Sequence, residues 1–189
     1  GYYENGKLSG LYSEWWPMGE LSYIGYYNNG NRHGQAVWFN PDGSTNGLTE
    51  YSASKRNGTS IGYYKNGKIK YQYESVSGQR NGPGTWYDEN GLIAEEYMFK
   101  DKWWHGKGKV YSNGVLSKES SYVRGRLSGM QKVFYSDGSP KLKRHYLDNQ
   151  LVGEEVEFYP SGNKKRIRHF KKGKLHGPEI VLSEFGDTN

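Results

Sequence analysis

Gly58-Thr59-Ser60-Ile61-Gly62-Tyr63-Tyr64-Lys65-Asn66-Gly67-Lys68 carries the pattern that decides this fold. A glycine opens it, an aromatic ring follows, and Asn-Gly closes it. The opening glycine recurs at Gly10, Gly34, Gly58, Gly82, Gly106, Gly129, Gly153 and Gly177, in steps of 24, 24, 24, 24, 23, 24 and 24 residues. A second series runs in phase with it: Gly19, Gly43, Gly67, Gly91, Gly114, Gly138, Gly162 and Gly186. The two ladders share one deletion, between Tyr111 and Gly114, so the chain is a repeat array. Repeats run from Tyr3 to Gly186 and leave no length for a catalytic domain, so residues 1–189 read as one repeat domain.

Aromatic residues keep the same period. Trp15, Phe39, Tyr63, Tyr87, Tyr111, Phe134 and Phe158 follow the first glycine by one spacing, with Leu182 as the exception. Tyr3, Tyr27, Tyr51, Phe99, Tyr122, Tyr146 and Phe170 precede it by another, with Ser75 as the exception. Between them stand Asp42-Gly43, Asn66-Gly67, Asn90-Gly91, Asn113-Gly114, Asp137-Gly138 and Ser161-Gly162. Such dipeptides between aromatic and β-branched residues signal hairpins, because the turn needs positive φ. Further turns fall at Asn5-Gly6, Asn29-Gly30, Ser77-Gly78, Arg124-Gly125 and Lys172-Gly173. No stretch sustains a helical apolar period, and frequent glycine opposes helix. The expectation is an all-β array of about eight 24-residue β-hairpin repeats, roughly sixteen strands in one extended, twisted antiparallel meander. Aromatics from neighbouring strands should form a ladder along the sheet.

Hydrophobic content of 33% and a mean hydropathy of −0.99 would suit a disordered chain. Eighteen Tyr and six Trp argue against that, because disordered chains are poor in aromatics. The composition describes a thin structure whose apolar surface comes from rings with wet edges. Absence of cysteine excludes disulfides and thiolate metal sites. No apolar run approaches the ~18 to 20 residues that cross a bilayer as a helix. The start at Gly1 and the lack of cysteine fit an exported, processed chain, with the periplasm favoured over the cytoplasm.

Tyr63-Tyr64-Lys65-Asn66-Gly67-Lys68, Phe134-Tyr135-Ser136-Asp137-Gly138 and Phe170-Lys171-Lys172-Gly173-Lys174-Leu175-His176-Gly177 resemble the MORN repeat, and more closely its bacterial variant. The resemblance runs through essentially the whole chain and extends to the YwqK-type antitoxin and immunity proteins. It implies a non-enzymatic immunity protein that occludes a cognate bacterial toxin or secreted effector. Nucleases and phospholipase effectors of type VI secretion are the toxins proposed for such families. Eukaryotic MORN arrays imply the alternative, a scaffold on anionic phospholipid. His-Gly, common in MORN units, survives only at His33-Gly34, His105-Gly106 and His176-Gly177, so that histidine is not a required ligand here.

Chemical motifs fail one by one. Gly58-Thr59-Ser60-Ile61-Gly62 matches a nucleophile elbow by letter, yet Gly58 is a repeat glycine and the segment starts a strand. Gly106-Lys107-Gly108-Lys109 lacks the spacer and ending of a P-loop. His33, His105 and His176 lie three repeats apart, and His145 and His169 one repeat apart, about 10 Å along a sheet, too far to share a metal. Glu95-Glu96 and Glu154-Glu155 point to opposite faces of a strand. Asn57-Gly58-Thr59 is a sequon with meaning only in a eukaryotic secretory route. The expectation is therefore no enzyme, no cofactor and no metal.

Charge points to a partner. Residues 1–60 hold 4 basic and 5 acidic side chains, residues 61–120 hold 9 and 7, and residues 121–189 hold 13 and 8. Lys141, Lys143 and Arg144 recur one repeat later as Lys165, Arg166 and Arg168, a stripe suited to an acidic protein surface, a phospholipid head group or a nucleic-acid backbone. Trp103 occupies a position that is Lys7, Asn31, Lys55, Gln79, Arg126, Gln150 and Lys174 elsewhere, so it should face water as an interface anchor. Trp104 replaces Leu or Arg and packs beside it. These eight residues are the expected binding surface. The expected partner is a toxin or effector protein, with an anionic lipid surface as the alternative and no nucleic acid. The chain is expected to be monomeric, with Lys171, Lys172 and Lys174 discouraging edge pairing.

Overall fold

A computed structural model describes residues 1–185; Gly186, last of the second glycine series, lies outside the described residues. The chain is all-β, with seventeen strands and no helix among the described residues. It divides into two compact units, Gly1–Ile93 and the residues from Ala94 onward.

The first unit holds β1 (Tyr2–Glu4), β2 (Lys7–Trp15), β3 (Leu21–Asn28), β4 (Asn31–Phe39), β5 (Thr45–Ser52), β6 (Lys55–Tyr63), β7 (Ile69–Val76) and β8 (Gln79–Tyr87). From β1 to β8, each strand pairs antiparallel with its neighbour in this list. β9 (Ile93–Lys100) leads into the second unit. There follow β10 (Trp103–Ser112), β11 (Val115–Val123), β12 (Arg126–Phe134), β13 (Pro140–Leu147), β14 (Gln150–Phe158), β15 (Lys164–Lys171), β16 (Lys174–Leu175) and β17 (Ile180–Val181). These also pair in sequence order, except that β16 and β17 both pair with β15.

Two hairpin loops alternate. Turns such as Asn5-Gly6, Asn29-Gly30 and Ser77-Gly78 place both residues at positive φ, the two-residue turn whose twist suits a hairpin. The Asp-Gly and Asn-Gly loops differ from the sequence expectation. At Asn40-Pro41-Asp42-Gly43-Ser44 only the glycine has positive φ. Gly43 N–H donates to Asn40 and Asn40 N–H to Ser44, the three-residue loop that closes with a glycine bulge. Trp16, Tyr64, Asp88, Tyr135 and Tyr159 begin loops of the same kind. Asn113-Gly114 is the exception, with φ of 50 and 78°. The single deleted residue falls there and shortens the three-residue loop to a two-residue turn.

The first glycine series sits within strands, except Gly177, which lies between β16 and β17. Gly34 has φ of 71°. Toward β3 the register breaks between Gly25↔Ala36 and Tyr27↔Arg32, while toward β5 Gly34 pairs regularly with Tyr51. Gly34 is thus a bulge that bends its strand, and a side chain would resist that conformation.

In the first unit one face carries two rows. Tyr12, Gly25, Ala36, Thr49, Ser60, Tyr73 and Gly84 pair across seven strands. Beside them run Glu14, Tyr23, Trp38, Gly47, Gly62, Tyr71 and Trp86. Small residues in the first row leave room for rings from the second to lie over them. A Cβ on Gly25 would collide with Tyr23. Tyr23, Ala36 and Tyr51 form the core there, with Tyr12, Tyr27 and Trp38 packed against them. The expected aromatic ladder is present as ring contacts from Tyr27 to Tyr12, Tyr23, Trp38 and Tyr51, at centroid distances of 5.3 to 6.3 Å.

Candidate partner-binding surfaces

Trp103 and Trp104 open β10 in the second unit. Trp103 is half exposed, as its polar equivalents suggest; it covers the turn at Gly125, and the Lys102 ammonium sits 5.3 Å from its ring centroid. Trp104 stacks on Tyr97 at 4.4 Å and meets Tyr122 edge-on at 5.3 Å. The stack forms over Gly108, where a Cβ would stand 2.6 Å from Tyr97 and 3.0 Å from Tyr122. Burial pushes the phenols of Tyr97 and Tyr122 above their ordinary range, and for both Glu95 adds to it. Trp104 therefore belongs to the packing, and Trp103 is the more exposed of the two rings.

The basic stripe separates into two groups. Lys141, Arg144, Arg166 and Arg168 line one hollow of about 330 Å³ with Val133, Leu142, Glu155 and Glu157. Lys143 lies elsewhere, over Phe158 at 5.1 Å, and Lys165 over Tyr159 at 5.6 Å. Within the hollow the charge is largely matched. Arg144 Nε donates to Gln131 at 2.8 Å, and its Nη1 lies 3.5 Å from Glu155. Arg168 pairs with the same carboxylate through Nε and Nη2. Glu155 is only 4% exposed, so it is held by both guanidiniums as an internal acid. Gln131 in turn donates to Ser120 at 2.8 Å. Arg166 Nε lies 3.0 Å from Glu179. Positions that are Gly, Ala, Thr and Ser in the first unit become a polar ladder here: Ser120, Gln131, Arg144, Glu155 and Arg168.

A second group of arginines was not singled out from the sequence. Arg32, Arg56 and Arg80 each stand two residues before a ladder glycine, so the 24-residue period itself was the signal. Arg32 donates from Nε to the Tyr27 hydroxyl at 3.2 Å and lies over the rings of Tyr23 and Tyr51. Arg56 donates to the Tyr73 hydroxyl at 2.9 Å. Arg80 lies 4.3 Å from the Tyr73 ring centroid. Among the described residues no carboxylate pairs with Arg32 or Arg56, since Glu50 and Glu74 pair across strands with Gln35 and Thr59 on the opposite face. The faces of Tyr23 and Tyr51 hold the Arg32 cation without neutralising it.

Ser60 lies inside β6, is 1% exposed, and is followed by strand and loop, with no helix after it. Among the described residues no three His, Cys, Asp or Glu side chains converge on a possible metal site. No helix among them is long and apolar enough to cross a membrane.

Residues 56–75, 80–101 and 151–172 match the family described as MORN repeat variant. These three matched segments cover about a third of the chain. The remaining copies carry the same glycine spacing and the same two loop forms, and the chain is a repeat scaffold. No curated protein matches the sequence.

Proposed function

We propose that this scaffold is a non-enzymatic immunity protein, or antitoxin, of bacterial type that binds an acidic toxin or effector and occludes it. The observation that supports this reading is the arginine row of the first unit, where exposed Arg32 and Arg56 stand beside largely buried tyrosines and have no acidic partner among the described residues. Rings supply contact area at small entropic cost, and unpaired guanidiniums steer an acidic surface and seat its carboxylates. Trp103 adds an exposed anchor in the second unit. Among the arginines foreseen as contacts, Arg144 and Arg168 offer less, because Glu155 already holds them.

Capture on immobilised protein at moderate salt, followed by mass spectrometry, identifies the partner. Expression of that partner in a susceptible host should arrest growth, and co-expression of this chain should restore it. The variant combining Arg32→Gln and Arg56→Gln should fail to rescue while remaining folded. Rescue by the variant, or a captured protein with no toxicity, would contradict the reading. A membrane scaffold is the second reading. Lys132 and Lys143 face each other across β12 and β13 on the opposite face, a basic pair suited to anionic headgroups. Failure to sediment with phosphatidylserine vesicles at low salt would remove it.

A further inference from the structure

The aromatic ladder of the first unit has a gap. Ring contacts run without interruption from Tyr27 to Trp38 and Tyr51, then resume with Tyr71 stacked on Tyr73 at 5.7 Å. In the row Tyr23, Trp38, Gly47, Gly62, Tyr71, Trp86, two successive strands contribute glycine. Tyr71 leans over Gly62, where a Cβ would collide with its ring. At Gly47 a Cβ would meet the Ile61 carbonyl oxygen at 2.8 Å, and the atoms nearest it are backbone, with no ring among them. A hollow of about 170 Å³ stands there, lined by Trp38, Gly47, Thr49, Arg56, Tyr71 and Tyr73. Asn46 sits at its mouth.

Trp38 and Tyr71 are three strands apart, about 14 Å at the usual strand spacing. With Tyr71 displaced toward Gly62, the space over Gly47 is about two spacings wide. One flat ring with a van der Waals gap of about 3.5 to 4 Å on each side fits such a width. The edge of the hollow is basic, since Arg56 spends one donor on the Tyr73 hydroxyl and pairs with no carboxylate among the described residues.

We infer that this slot receives one aromatic side chain of the partner protein, with an adjacent carboxylate of the same segment seated on Arg56. The inference rests on the partner-binding reading above and names the segment by which the partner docks. The occupant supplies the ring that Gly47 omits from the ladder. Its carboxylate answers the one uncompensated guanidinium at the slot.

The test uses the full chain and two N-acetylated tripeptide amides, one with phenylalanine between two glutamates and one with alanine there. Amide chemical shifts are followed by NMR during titration. The phenylalanine peptide should shift Gly47, Thr49 and Gly62 saturably, with at least five-fold tighter binding than the alanine peptide. Arg56→Gln should weaken it at least five-fold, and Tyr71→Leu should abolish the preference for phenylalanine. Arg56 is exposed, so its variant keeps the fold. Equal binding of both peptides, or shifts that bypass Gly47, would overturn the slot. If a captured toxin still binds and is neutralised in that case, the immunity reading stands without the slot. If the slot binds the peptide but no toxin is neutralised, the slot stands and the immunity reading falls.

Discussion

Glu155 is the residue on which the second unit depends most. Its carboxylate is buried between Arg144 and Arg168. Removing one member of a buried ionic group leaves the others uncompensated, which costs more than the group contributes as a whole. Because the two arginines are about one-third exposed, Glu155→Gln should cost about 2 to 3 kcal/mol, read as a fall in urea midpoint. Lys107→Ala, which removes an exposed pair with Glu119, should cost less than about 0.5 kcal/mol. Equal losses would show that Glu155 is not the hub. The phenols give a second check. Burial raises Tyr23, Tyr97 and Tyr122 above the usual 10.0, and burial with the Glu96 hydrogen bond raises Tyr111 to about 12. A raised pKa means the fold holds the proton more tightly than the unfolded chain does. Stability from these groups is therefore complete below pH 10 and is lost as pH rises through their folded values. Phenolate absorbance should include a late phase, above pH 10, that coincides with loss of β-sheet circular dichroism. A single phase completed near pH 10 with the sheet intact would contradict this.

The loops show how one dipeptide serves two geometries. Asn113 has φ of 50° in a two-residue turn, whereas Asn90 precedes Gly91 in a three-residue loop and keeps negative φ. Asn113→Ala should cost about 1 kcal/mol, because alanine resists the left-handed region. Asn90→Ala should cost a few tenths, within the ordinary range for a surface change. Thermal melts of the two variants check the difference, and equal shifts would mean that the two loops are alike. Strand content and hairpin order were legible from the sequence, because glycine and aromatic spacing repeats eight times. Loop form was not, since Asn-Gly suits both loops and only the hydrogen-bond register separates them. Nor could the sequence place the first glycine series within strands, because a bulge glycine and a turn glycine carry the same letter. Compensation of Arg144 and Arg168 was hidden for a related reason. Glu155 lies on the strand between them, and only register reveals that all three share a face.

At the scale of the molecule, the two units solve one packing problem differently. The first lays rings over a row of small residues, and the second has Ser120, Gln131, Arg144, Glu155 and Arg168 at positions equivalent in the repeat. Stability in repeat arrays comes from each repeat and its neighbours, so short terminal strands should open before central ones. Hydrogen exchange should therefore be fastest in β1, β16 and β17 and slowest in β4 to β6 and β11 to β14. Uniform protection along the chain would contradict a nearest-neighbour array. The same difference in packing decides where charge is available. Arg144, Arg166 and Arg168 of the second unit are engaged by acids, while among the described residues Arg32 and Arg56 in the first are engaged by rings and hydroxyls and by no carboxylate. The family match and the charge totals both leave this undecided, because the third of the chain richest in lysine and arginine is also the part with internal acids. The most direct measurement is calorimetric titration of the captured partner against two double variants, Arg32→Gln with Arg56→Gln and Arg144→Gln with Arg168→Gln, each checked for folding. The account predicts at least a tenfold loss of affinity for the first pair and less than threefold for the second. The reverse order would contradict it.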